Sequence, residues 1–287
     1  MTATPAECVQ FLLRQAASEL ETCSPSPRTD AELLFQHALG WSRTALFTRA
    51  DTVLNHHQQS AVQALLHRRL QGEPVAYITG TRGFWTLDLA VDRRVLIPRP
   101  ETELLVERAL ALTGQAAELT VLDLGTGSGA VALALASERP HWSITASDMS
   151  DDALAVARHN ATRLCLAVEW LRGSWFAPLA QRRFHLITSN PPYIPGRDVH
   201  LSQGDLRFEP VTALAAGDDG LDDLRAIIHQ APEHLHHGGW LVVEHGYDQG
   251  RAVADLFRAR GFATVRGHKD MGDQDRLTEG CFIGIAG

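Results

Sequence analysis

Residues 119–140 read "LTVLDLGTGSGAVALALASERP". An apolar run, Leu119 to Leu124, leads into glycines at alternate positions, Gly125, Gly127 and Gly129, and then into an alanine-rich stretch. A buried strand, a tight turn and a helix are the expected elements. Glycine lets such a turn bend sharply and lets a ligand approach the backbone, because no Cβ intrudes. A strand, glycine turn and helix in this order open a doubly wound α/β sheet, whose ligands bind beyond the carboxyl ends of the strands.

Working outward, the alternation continues. Helix "ETELLVERALALT" precedes this unit; strand "WSITASD", helix "SDDALAVARHNATRL" and strands "AVEWLRG" and "FHLITSN" follow it. Helix "LDDLRAIIHQAPEHL", strand "GWLVVEHG", helix "QGRAVADLFRARG" and two terminal strands complete the chain. Residues 96–287 are therefore expected to form a Rossmann-like, mostly parallel sheet with helices on both faces. His234, His236 and His237 in "PEHLHHGGW" are read as capping the end of a helix, where imidazoles favour the negative end of the dipole.

The first part of the chain has another period. "AECVQFLLRQAASEL" places Val9, Leu12, Leu13, Ala16 and Leu20 on one helical face, "RTDAELLFQHALG" stops at Gly40, and "NHHQQSAVQALLHRRLQG" runs from a capping Asn55 to Gly72. Residues 5–72 read as helices throughout, so 1–74 is expected to be a small all-α bundle for packing or partner docking. From "VAYITG" through "FWTLDLAVDRRVLIP" the period falls to two, which predicts a β-hairpin linker over 75–95.

Composition narrows the function. The chain has 287 residues, 45% of them hydrophobic, enough for a sizeable core. It contains no run of ~20 apolar residues, and "MTATPAECVQ" lacks a basic region followed by an apolar one, so neither a membrane span nor export is expected. Cys8, Cys23, Cys165 and Cys281 are scattered without a CxxC pair, which fits reduced thiols in a cytoplasm and no structural metal. A net charge of −8 argues against direct binding of nucleic acid. A monomer is expected.

The glycines alone leave NAD open as the ligand. Two carboxylates point elsewhere. Asp123, just before Gly125, suits a cationic group better than a pyrophosphate, and Asp148, ending the next strand, suits the two hydroxyls of a ribose. Asp148 as the N-cap of the helix near Ser150 is the plainer alternative. A ligand with a ribose, an adenine and a charged amino-acid end, but no phosphates, is S-adenosylmethionine.

"DLGTGSG" (123–129) followed by "NPPY" (190–193) resembles the class I methyltransferases that act on planar nitrogen. Within that group "GFW" (83–85), "LIPRPETE" (96–103), "NPPYI" (190–194) and "EHGYDQG" (244–250) resemble the protein-(glutamine-N5) methyltransferases of peptide chain release factors. The helical bundle and hairpin match as well, so the resemblance spans nearly the whole chain. It implies S-adenosylmethionine as methyl donor and the glutamine of a release factor's Gly-Gly-Gln loop as acceptor. It also implies that Gly125, Thr126, Gly127, Ser128, Gly129, Asp148 and Trp175 contact the cofactor. Asn190, Pro191, Pro192 and Tyr193 would clamp the glutamine, with Phe84 walling the same pocket. Ser174 departs from the pattern, since relatives often carry an acid there to hold the adenine amino group. Arg99 and Glu101 are read as braces of the hairpin and helix start.

The tetrapeptide suits that chemistry. An amide nitrogen is a poor nucleophile because its lone pair is delocalised. Acceptors placed on its two hydrogens, the Asn190 side-chain oxygen and the Pro191 carbonyl, turn the lone pair outward and gain strength as positive charge develops. The prolines fix φ and offer no competing N–H, and Tyr193 offers a stacking face. A ribosomal-protein glutamine methyltransferase is the nearest alternative. An adenine-N6 DNA methyltransferase is a further one, opposed by the missing basic surroundings.

Overall fold

The computed structural model describes residues 8–114 and 118–284, so residues 5–7 of the expected first helix lie outside the described residues. The chain divides into two compact units, Met1–Thr81 with Ser202–Phe208, and Arg82–Leu201 with Glu209–Gly287.

The first unit holds helices α1 (Val9–Leu20), α2 (Pro27–Leu39), α3 (Arg43–Thr48), α4 (His56–Leu70) and α5 (Val75–Thr79). Pro27 stands at the first turn of α2, where its missing N–H costs nothing, and Gly40 closes the helix at φ 65°. Asn55 and Gln58 exchange hydrogen bonds of 2.9 and 3.1 Å as a capping box at the start of α4. Val9, Ala16, Leu20, Leu34, Phe35 and Leu66 pack into one apolar core. Helix α3 is too short to show a period, and its sequence signal is Ser42, whose Oγ caps Ala45 N at 3.1 Å.

Arg69 is buried here at 3% exposure. It donates to Asp30 at 2.8 Å, to Asp205 at 3.0 Å and to the Glu73 carbonyl at 3.2 Å. "VAYIT" corrects the hairpin expectation: it forms the single helical turn α5. Pro74 sets the entry and Gly80, at φ 73°, the exit, while Val75 and Ile78, three apart, face the core. The β-branched residues obey the period of three that these punctuating residues impose.

The second unit carries the hairpin β1 (Thr81–Phe84) and β2 (Leu87–Ala90), then α6 (Glu103–Thr113), β3 (Thr120–Leu124), α7 (Ala130–Glu138), β4 (Ser143–Asp148), α8 (Asp151–Leu164) and β5 (Glu169–Arg172). After these come β6 (Phe184–Ser189), α9 (Asp222–Gln230), β7 (Leu235–Glu244), α10 (Gly250–Ala259), β8 (Phe262–Lys269) and β9 (Asp275–Phe282). The sheet order is β5-β4-β3-β6-β7-β9-β8, parallel except that β9 runs against both neighbours. Val121 of β3 packs in one core cluster with α6 and α7, and Leu122 and Leu124 in the other with α9 and α10. The expected Rossmann-like sheet with helices on both faces is therefore the fold.

Register positions the site. Leu124 is level with Ser147 of β4 and Ser189 of β6, and Ser189 with Val243 of β7. Gly125, Asp148, Asn190 and Glu244 thus emerge together at the carboxyl edge, where the strand order reverses between β3 and β6.

The three histidines need a correction. Helix α9 ends at Gln230, Pro232 breaks its ladder, and β7 already begins at Leu235. His234 is buried, stacked on Phe176 at 4.7 Å, and His236 lies 4.4 Å from the His185 ring, so neither is a solvated helix cap. No helix among the described residues is long and apolar enough to cross a membrane.

Candidate active site

A cavity of about 300 Å³ lies beyond β3, β4 and β6, at the lower end of the ~300–1,000 Å³ usual for small-molecule sites. Gly125, Gly127, Asp148, Trp175, Asn190 and Pro192 line it. These come from separate strand ends, and all were singled out in the sequence.

The glycine turn is built for close approach. Gly125 and Gly127 have φ of 67° and 56°, and a Cβ on Gly125 would stand 3.1 Å from the Trp175 ring. Gly129, at φ 84°, serves the protein interior, since a Cβ there would meet Trp170 at 3.0 Å. Thr126 and Ser128 are buried and do not line the cavity. Asp123 lies behind the turn rather than in the wall. It is 2% exposed and accepts from Thr126 Oγ at 2.6 Å and Thr188 Oγ at 3.0 Å. Burial pushes its pKa up to about 6 against these hydrogen bonds. Its role here is to hold the turn, not to meet a cationic ligand.

Asp148 reaches the cavity. One oxygen accepts from Gly127 N and the other from Ser150 N, both at 2.9 Å. Burial raises its pKa, and the backbone N–H groups oppose that. Each carboxylate oxygen has a further lone-pair direction, enough for a diol. The cap of α8 is Ser150, whose Oγ accepts from Ala153 N at 3.1 Å, so Asp148 is not that cap. Trp175 sits at φ 45°, and its side chain lies beside Asp223, opposing the rise that burial imposes on the Asp223 pKa.

On the other side Asn190 donates from Nδ2 to Thr102 Oγ at 3.1 Å, which leaves Oδ1 without a donor among the described residues. Pro192 lines the cavity and Pro191 is buried behind it. Tyr193 is not part of the wall: its ring packs on the core and its hydroxyl donates to Glu244 Oε1 at 3.3 Å. Burial and the neighbouring Glu244 raise its phenol pKa. Phe84 is also misplaced by the sequence reading; at 1% exposure it belongs to the core cluster with Leu89 and Leu105.

Other lining residues were not foreseen, among them Arg94, Pro210, Thr212 and Asp223. Arg94 fell in the quoted period-two run without a role, Asp223 at a helix start, and Pro210 and Thr212 in no quoted segment, while their neighbour Leu96 fell in a quoted motif. Arg99 does not brace the hairpin; it pairs with the buried carboxylate of Glu209, which also accepts from Ile97 N at 3.3 Å. Glu244, buried behind Tyr193, opened the quoted motif "EHGYDQG" but had no role assigned. No cluster of metal-ligating side chains occurs among the described residues.

Comparison with known proteins agrees with this layout. Residues 12–80 match the family model described as the PrmC N-terminal domain, and residues 100–206 the methyltransferase small domain. The release factor glutamine methyltransferase of Pseudomonas aeruginosa is 55% identical over 90% of this chain and 93% of its own. That of Escherichia coli is 48% identical over 94% and 98%. A methyltransferase structure from Pyrococcus furiosus, 19% identical, shares the fold with a TM-score of 0.54 over 76% of this chain and 98% of its own.

Proposed function

The chain belongs to the release factor glutamine methyltransferase family, and from that premise we propose the following reaction. A methyl group passes from S-adenosylmethionine to the side-chain amide nitrogen (N5) of the glutamine in a release factor's Gly-Gly-Gln motif. The observation that carries this reading is Asn190, turned so that Oδ1 is left free at a cavity that Asp148 and the glycine turn enter from the opposite side.

The residues fit the methyl donor. Gly125 and Gly127 keep backbone close to the cavity without Cβ atoms, Asp148 holds two oxygens for a ribose diol, and the Trp175 ring offers an apolar wall for adenine. Bound there, S-adenosylmethionine supplies an electrophilic methyl group. Asn190 Oδ1 and the Pro191 carbonyl accept the two hydrogens of the substrate amide and orient its lone pair. Their hydrogen bonds strengthen as nitrogen becomes positive, which favours the transition state over the ground state. Tyr193, held at its hydroxyl, anchors the turn; stacking on the substrate would require its ring to leave the position described above. The helical unit is assigned to docking the release factor, the protein works as a monomer in the cytoplasm with its substrate, and nucleic acid is not a direct partner.

The test is mass spectrometry of release factors and ribosomal proteins incubated with purified protein and S-adenosylmethionine. One methyl on the glutamine of Gly-Gly-Gln is expected. A methyl on a ribosomal-protein glutamine alone would transfer the assignment to that substrate.

A further inference from the structure

Behind the cavity a buried chain of side chains joins the ends of β6 and β7 to the start of α6. Glu244 is 1% exposed. The Tyr193 hydroxyl donates to its Oε1 at 3.3 Å, Oε2 has no hydrogen-bond partner among the described residues, and the Thr102 side chain lies near enough to the same carboxyl to oppose the rise of its pKa. Thr102, 4% exposed, in turn accepts from Asn190 Nδ2 at 3.1 Å.

A hydroxyl has one hydrogen. Accepting from Asn190, with its own hydrogen turned toward the neighbouring Glu244 carboxyl, Thr102 shows Asn190 only lone pairs, and only the NH2 half of the Asn190 amide can meet them. The two halves of an amide are nearly equal in shape, so packing alone does not choose between them. Flipped, Asn190 would present NH2 to the NH2 of the substrate, and an acceptor would be lost where one is needed. Arg276 donates to Asp270 at 3.1 Å and acts on the Glu244 carboxyl through its charge, with no hydrogen bond to it among the described residues. The hydroxyls of Tyr193 and Thr102 therefore define what Glu244 does: it is an acceptor, and its effect passes outward.

We propose that Glu244 is a positioning residue for methyl transfer, acting through Thr102 to hold the Asn190 amide with its NH2 inward and its oxygen toward the substrate. The inference rests on Asn190 being the acceptor for the substrate amide. Glu244 touches neither substrate nor cofactor, so it should act on turnover while leaving cofactor binding alone.

The experiment uses the full chain with Glu244→Leu, Thr102→Val, their combination, Glu244→Gln and Asn190→Ala. It reads kcat and KM with a purified release factor, and S-adenosylmethionine affinity by calorimetry. Glu244→Leu and Thr102→Val should each lower kcat about tenfold, the bias that one lost hydrogen bond removes, with cofactor affinity unchanged. The double variant should be no slower than either single one, because both cut the same relay. Glu244→Gln should restore most of the kcat lost in Glu244→Leu, its carbonyl accepting from both hydroxyls. Losses that multiply in the double variant, or a Glu244→Gln as slow as Glu244→Leu, overturn the proposal. If Glu244→Leu does not fold, Thr102→Val alone and in the Glu244→Gln background carries the test: full kcat in either overturns the relay. Asn190→Ala separates the two readings. A slow Asn190→Ala beside a fast Thr102→Val sinks only the relay, whereas a fast Asn190→Ala sinks the clamp itself.

Discussion

At the ends of β3 and β4 the polar atoms of the cavity are tied to backbone nearby. Asp148 takes its two N–H donors from the residue two positions on and from the glycine turn of the adjoining strand. At the ends of β6 and β7 the ties run between side chains far apart in the chain. Asn190 is held by Thr102, 88 residues away, and Tyr193 by Glu244, 51 residues away. Backbone wiring follows from making the turn. Side-chain wiring exists only once three separate elements have packed, and each link in it hangs on the orientation of the next. The cofactor half should therefore fail locally when mutated, and the substrate half by loss of orientation.

The largest effect should fall on the substrate half. Asn190→Ala is expected to lower kcat on the order of 10²–10³-fold, the usual loss for one preorganised donor or acceptor at a reacting centre, with little change in cofactor affinity. Steady-state methylation beside calorimetry checks this; comparable losses in both would erase the division. On the cofactor half, Asp148→Ala should weaken S-adenosylmethionine roughly 10–150-fold, the value of charge-assisted hydrogen bonds to the ribose. Equal affinity in a folded variant would leave Asp148 as a fastener of the glycine turn and nothing more.

The smallest effect is one of stability and distinguishes the two carboxylates by pH. Burial pushes Glu244 up to about 7 from 4.5, against the Thr102 side chain, the charge of Arg276 and the hydrogen bond from Tyr193, while the charge of Glu101 adds to the rise. A folded-state value above the unfolded one contributes stability that is complete below pH 4.5 and lost as pH rises through about 7. Glu244→Gln removes that loss. Its melting temperature should exceed the wild type's most at pH 8 and above, by the equivalent of on the order of 1–3 kcal/mol, and the gap should close toward pH 4.5. A gap that stays constant with pH would mean that Glu244 ionises as freely as in the unfolded chain.

The same contrast explains what was legible in the sequence. Alternating glycines after an apolar run, and an aspartate ending the next strand, are local signals for local backbone geometry. They placed Gly125, Gly127 and Asp148 correctly at the cavity. Asn190 and Pro192 were found for the same reason, because two prolines and an amide declare a rigid turn. Tyr193 and Asp123 were assigned to the wall by residue type and Phe84 by the family resemblance, yet each points into the interior. An aromatic ring or a carboxylate does not say which way it faces until packing decides. Thr102 and Glu244 had motif membership but no visible partner, since nothing in one sequence pairs residues so far apart. In the helical unit, Pro74 and Gly80 overruled the β-branched look of "VAYIT", and Pro232 overruled the helical look of "APEHL".

The first unit is discontinuous in the chain, and that has a temporal consequence during synthesis. Residues 1–81 leave the ribosome first, but Ser202–Phe208 follow about 120 residues later, a wait of roughly 6–25 s at ~5–20 residues per second. Over that interval Arg69, buried as its helices pack, has Asp30 as counter-ion but not yet Asp205. The nascent bundle thus carries its own neutralising carboxylate, and the late segment docks onto a charge already paired instead of having to rescue a naked one.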